Sequence, residues 1–110
     1  MYTGSLPTAS IHGTWLENVE IWSTDDDTLM DLSDVVEIVL ELRDPATMFP
    51  ELTLRMSSGD ITIPSQGIIQ WRAEVGAMGM LDSKLYEAIM LLETSSDTVP
   101  LFLGSISIVE

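Results

Sequence analysis

The sequence predicts an all-β fold, a single antiparallel sandwich or small barrel of about seven strands. Three observations carry that expectation. Apolar residues recur with a period of two, as in half-buried strands. Turn residues break the alternation at short, fairly regular intervals, and helical periodicity is nearly absent. The chain has 110 residues, 45% of them hydrophobic, which suits one domain and one core.

The elements follow in order. Residues 1–13 (MYTGSLPTASIHG) are small and polar, and read as a flexible N-terminal arm or a first short edge segment. The sandwich domain is expected over 14–110. From Thr14 to Trp22 comes a strand with Trp15, Val19 and Ile21 on one parity, shared by Glu17. Ser23 to Asp34 (STDDDTLMDLSD) is turn-rich, with Leu29 and Leu32 tucked beneath it. Val35 to Arg43 (VVEIVLELR) is the clearest strand, and Asp44-Pro45 stops it. Leu52, Leu54 and Met56 mark a third strand. Ile61 and Ile63 make a short one, cut off by Pro64, and Ile69, Trp71, Ala73 and Val75 another. Gly76 to Leu81 is at most one helical turn, because its two glycines oppose a longer helix. Lys84 to Glu93 and Val99 to Val109 are the last strands, joined by the loop Thr94 to Thr98. The expected core is Val36, Ile38, Leu40, Leu42, Leu52, Leu54, Ile61, Ile63, Ile69, Trp71, Tyr86, Ala88, Met90, Leu92, Ile106 and Ile108.

Composition excludes several kinds of chemistry. There are 18 acidic and 4 basic residues, a net charge of -14. Phosphate recognition needs clustered lysine and arginine, so neither nucleic acid nor an anionic membrane is an expected partner. The chain has no cysteine, which removes disulfides, thiol catalysis and cysteine metal sites. No run of 18 apolar residues offers a membrane span. The start of the chain lacks the basic and apolar stretches of a secretory signal. His12 is the sole histidine and reads as an exposed loop residue.

No catalytic pattern emerges. There is no nucleophile elbow and no phosphate-binding glycine loop. Eighteen acids make some close carboxylate pair inevitable, so a pair carries little information. Asp25, Asp26 and Asp27, with Asp31 and Asp34, suggest calcium, but the EF-hand spacing fails at Met30 and Val36. The run reads as a solvated turn. No enzyme activity, metal or cofactor is expected.

Three segments carry a resemblance. One is Asp31-Leu32-Ser33-Asp34-Val35 leading into a strand that ends Leu42-Arg43-Asp44. The second is Gly59-Asp60-Ile61-Thr62-Ile63, then Gly67-Ile68-Ile69. The third is Leu85-Tyr86-Glu87-Ala88, a Ser/Asp loop, then Leu103-Gly104-Ser105-Ile106-Ser107-Ile108. In this order they resemble small phage and prophage virion proteins with an immunoglobulin-like β-sandwich, over residues 14–109 or so. The chain departs from their pattern at Asp34, where glycine is usual, and at Ile89, where aspartate is common. The resemblance implies an immunoglobulin-like sandwich with a structural role in a tail, neck or head. It implies virion proteins as partners, and location in the virion or in the bacterial cytoplasm before assembly. It carries no catalytic residues. On that fold, Gly59 and Gly67 would sit in turns with positive φ. Tyr86 would put its ring in the core and its hydroxyl on nearby backbone, like a tyrosine corner. Gly104 would admit a close neighbour or mark a bulge.

Candidate contact residues follow from exposure arguments. Leu85, Ile89 and Leu91 give their strand a second apolar face, and Val35 and Val39 do the same for theirs; adjacent and outside the core, they would form an interface patch. Trp22, at a strand end before Asp25, Asp26 and Asp27, is the expected aromatic anchor. Residues 1–44 hold 10 of the 18 acids and only Arg43 of the bases. This predicts an acidic end that repels its own copies and attracts a basic partner surface. A homo-oligomer stays open. The alternative function is a carbohydrate-binding module for a bacterial surface glycan, with Trp22 and Trp15 as stacking anchors.

Overall fold

The structure, a computed structural model, describes residues 8–22 and 28–110. Its elements are β1 (Ala9–Ser10), β2 (Trp15–Glu20), β3 (Val35–Arg43), β4 (Pro50–Arg55), β5 (Ile61–Ser65), β6 (Ile68–Ala73), α1 (Val75–Met78), β7 (Leu85–Thr94) and β8 (Thr98–Val109). They form a five-stranded sheet in the order β1-β8-β7-β3-β4 and a three-stranded sheet in the order β2-β6-β5. The fold is nearly all-β. Every pairing is antiparallel except β1 with β8, which is parallel.

For the described part of the N-terminal arm, that parallel pair selects the edge-segment alternative. Ala9 sits opposite Ile108 with its side chain buried, so the described part of the arm is an edge strand of the larger sheet. Pro64 does not end β5, which runs on to Ser65. β5 is the edge of its sheet, where a residue with no N–H to donate is tolerated. The helical expectation over 76–81 resolves to the single turn of α1, whose Met78 plugs the core.

The core lies between the sheets. Ile38, Leu40 and Leu42 of β3 and Tyr86, Ala88, Met90 and Leu92 of β7 meet Trp15, Val19, Ile69, Trp71 and Ala73 of the smaller sheet. Leu52 and Ile63 pack against this cluster while only partly buried. Val36, expected in the core, is 64% exposed. A register shift between Val35 and Glu37 against β7 explains it. The extra residue of a bulge reverses parity, so Val35 turns to the core and Val36 to solvent.

Three residues singled out in the sequence have the local geometry expected of them. Gly59 and Gly67 have φ of 84° and 76°. The Tyr86 ring is fully buried, and its hydroxyl accepts the Asp82 N–H at 3.0 Å and donates to the Asp82 carbonyl at 3.3 Å. Burial is the main cause that raises the Tyr86 pKa above its usual value.

Candidate protein interface on the five-stranded sheet

Side chains alternate across a strand, so β3 and β7 present a second row away from the core. On β7 that row is Leu85, Glu87, Ile89, Leu91 and Glu93; on β3 it includes Glu37, Val39, Glu41 and Arg43. Cross-strand register builds the surface. Arg55, Val39, Leu91 and Pro100 stand side by side across four strands. Thr53, Glu41, Ile89 and Phe102 form the next row. The smaller sheet and α1 pack on the opposite, inner side.

The five apolar residues differ in exposure. Val39 and Ile89 are nearly inaccessible, yet neither belongs to the core cluster. They form the floor of the strip. Leu91 is half-buried, while Phe102 is 67% exposed and stands over the Ile89 row. Leu85 is exposed at one end of the same β7 row.

Polar groups frame the strip. Arg43 donates to the Glu41 carboxylate through Nε at 2.9 Å, so this pair is internally neutralised. Glu87 accepts the Ser105 hydroxyl at 3.1 Å. Glu37 accepts the backbone N–H groups of Ile38 and Ser57, both at 3.0 Å. Hydrogen bonding with Ser57 is the largest cause that holds the Glu37 carboxyl below its usual pKa. Beyond the strip, Lys84 pairs with Asp44 and lies 3.8 Å from Glu51, tying the β3–β4 connection to the start of β7.

The structure thus brings together Val39, Ile89, Leu91 and Leu85 of the expected contact residues. It separates Val35, which the bulge turns into the core. Trp22 is half-buried and bridges to Leu29 outside the named strands, remote in sequence and topology from this face. Asp25, Asp26 and Asp27 lie outside the described residues. Sequence reasoning missed Phe102, because parity counted back from Ile108 groups it with the core. A register shift between Ala88 and Ile89, opposite Gly104 with φ 102°, reverses that parity. Leu103 is buried instead. Gly104 was the available signal.

Other candidate sites are less developed. A shallow cleft of about 280 Å³ lies beside Asp31, Leu32, Ser33, Ile63, Ser65 and Gln66. Asp31 there accepts the Ser33 N–H at 2.9 Å, which lowers its pKa. A second cleft, about 240 Å³, runs over Leu16, Asp60, Thr62, Gln70 and Arg72 on the smaller sheet. Among the described residues no group of three or more His, Cys, Asp or Glu is placed to hold a metal ion. No charged residue among them is buried, and the carboxyl shifts that resolve, at Asp31, Glu37 and Asp44, all run downward. Trp15, expected as a sugar-stacking anchor, is buried edge-on against Trp71 with ring centroids 5.4 Å apart. No helix among the described residues is long and apolar enough to cross a membrane.

No protein-family model matches the chain, and no curated protein matches it. One solved structure is similar in fold, the endo-beta-1,4-mannanase from Thermotoga petrophila, at a TM-score of 0.59 and 10% identity. The likeness covers 96% of this chain and 18% of that protein. The chain therefore spans less than a fifth of the length of the protein it resembles, and the likeness concerns the fold.

Proposed function

We propose that the chain is a non-enzymatic structural component of a phage or prophage particle that acts by protein–protein contact. The contact surface is the outer face of the five-stranded sheet. The observation that carries this reading is Phe102, 67% exposed over a floor of buried Val39 and Ile89. An exposed aromatic on a rigid apolar base has the makeup of an interface anchor.

The fold assignment belongs to the same proposal. An immunoglobulin-like sandwich sets strands B, E and D against C, F and G, with extra strands at the edges. Reading β2 to β8 as B, C, C′, D, E, F and G reproduces that order, and β1 flanks G. The Tyr86 hydroxyl on the Asp82 backbone supports the same alignment. The glycan-binding reading loses support from the burial of Trp15, one of its two expected anchors.

Gene context and particle composition test the function. The coding gene is expected among capsid, portal or tail genes, and the chain is expected in purified, nuclease-treated particles at a fixed ratio to a major virion protein. A chain that stays in the lysate while particles assemble without it refutes the reading.

A further inference from the structure

We propose that the outer face of the five-stranded sheet docks an amphipathic helix of another protein, with lysine or arginine flanking the helix's apolar side. This rests on reading that face as a protein-docking surface, and adds the occupant's shape and charge.

Shape comes from the register. Val39, Leu91 and Pro100 lie in one cross-strand row, with Ile89 and Phe102 in the next. Val39 and Ile89 are the nearly inaccessible floor, so the apolar surface open to a partner is Leu91, Pro100 and Phe102, on two adjacent strands about 4.8 Å apart. A single α-helix is about 10–12 Å across. A packed second sheet would need apolar side chains over the full width of the face. On this side β4 offers Thr53 and Arg55, and β3 offers Glu41 and Arg43 around Val39. The strip offers one narrow line of apolar contact, which suits the apolar side of a single helix and not a packed sheet.

Charge sets the flanks. Glu37 and Glu93 face each other at one end of the strip, and Glu87 stands toward the other. Arg43, in the next row opposite Glu87, is occupied by Glu41, and Arg55 is the one basic side chain within the two rows. A second copy would bring its own glutamates onto these, with each chain already at -14. Like charges facing across an interface disfavour that pairing, and a basic helix relieves it.

The test uses the intact chain and two labelled synthetic helices of equal length with the same leucine face. One carries lysines along both flanks and the other glutamates. Fluorescence anisotropy follows binding at low and at moderate salt. The lysine helix is expected to bind, more weakly as salt rises, and the glutamate helix about tenfold or more weakly than it. Phe102→Ser and Leu91→Ser are each expected to weaken the lysine helix by about tenfold or more. Met80→Ser, on the exposed α1–β7 connection, leaves it unchanged. Equal binding of the two helices overturns the charge assignment while the docking face stands. Binding indifferent to both Phe102→Ser and Leu91→Ser overturns the docking face as well. No binding of the lysine helix overturns the helix proposal alone, since the particle test decides the broader function. A dimer in light scattering that Phe102→Ser abolishes gives the face to a second copy and overturns the helix.

Discussion

Gly67→Ala tests the packing of the turn-rich segment on the smaller sheet, because two penalties meet at one position. Gly67 has φ 76°, a conformation that disfavours a side chain by roughly 1–2 kcal/mol. A Cβ built there would also stand 2.4 Å from the Leu29 Cβ. The clash is with an atom fixed to the backbone, so relief requires the strand and the 28–34 segment to part. Overpacking of that kind costs about 1–3 kcal/mol. Gly59→Ala supplies the control: φ is 84°, but no atom lies within 4 Å of a Cβ there. The entropic gain of replacing glycine by alanine is common to both variants and cancels in the comparison. Urea denaturation should therefore place Gly67→Ala about 1–3 kcal/mol below Gly59→Ala. In thermal melts, at about 4 °C per kcal/mol for this chain length, the gap is roughly 4–12 °C. A cycle with Leu29→Gly should return most of it as coupling energy. Equal destabilisation of the two alanine variants, or no coupling with Leu29, would refute the close approach of Leu29 to the β5–β6 turn.

Other outcomes follow from the same geometry. Val36→Ser should change stability by no more than about 0.5 kcal/mol, whereas Ile38→Ala should cost about 2–5 kcal/mol; reversed effects in denaturant melts would remove the β3 bulge. Tyr86→Phe deletes the acceptor of the Asp82 N–H and should cost about 1–2 kcal/mol by the same assay, a loss that Tyr86→Trp does not restore. The Asp44 carboxyl is held below its usual pKa, chiefly by its hydrogen bond with Lys84, and the Lys84 pKa is raised chiefly by the same bond. The lowered carboxyl contributes stability above about pH 4, lost as pH falls through its folded value. The raised lysine contributes below about pH 10, lost as pH rises through its own folded value. Stability against Lys84→Met should therefore converge with the parent at both extremes, and curves that stay parallel from acid to base would discard the ion pair.

How far the sequence can be read depends on what a bulge does to parity. The strand over 35–43 was legible to the residue, because nothing but a strand fits VVEIVLELR. Its first face assignment failed at Val36, since a bulge at Val36, between Val35 and Glu37, leaves no turn residue to announce it. The same event at the other end of the sheet hid Phe102 and buried Leu103, although Gly104 marked the place. Period-two reasoning propagates one parity along a whole strand, and one extra residue inverts everything beyond it. The interface face was legible because Val39 lies past the Val36 bulge in register with Ile38, and because Ile89 and Leu91 sit on β7, which carries no extra residue; all three keep the counted parity. Ala9 was not legible, because two residues of parallel edge strand carry no periodicity to detect.

The two outer faces of the molecule supply an internal comparison for the proposed interface. Both sheets cover the same core and face the same solvent. On the smaller sheet the outward rows are Leu16, Asn18 and Glu20 on β2, Ile68, Gln70 and Arg72 on β6, and Thr62 on β5. Polar residues dominate there, and the one exposed large apolar side chain in these rows is Leu16, at 54%. The fold thus has no general need for apolar residues on an outer face. On the larger sheet the outward rows gather Val39, Leu91, Pro100, Ile89 and Phe102 into one strip. Burial on the inside cannot account for Phe102, which is 67% exposed and points away from the core cluster. Strand propensity accounts for β-branched residues such as Val39 and Ile89, but equally for threonine, and does not explain a phenylalanine over them. Exposed Phe102 and half-buried Leu91 over such a floor invite association, and the glutamates around them bias which surfaces can approach. On the proposed reading, contact selected by charge would account for both features at once: the strip would supply the area, and the acidic frame would disfavour copies of the chain and favour a basic partner.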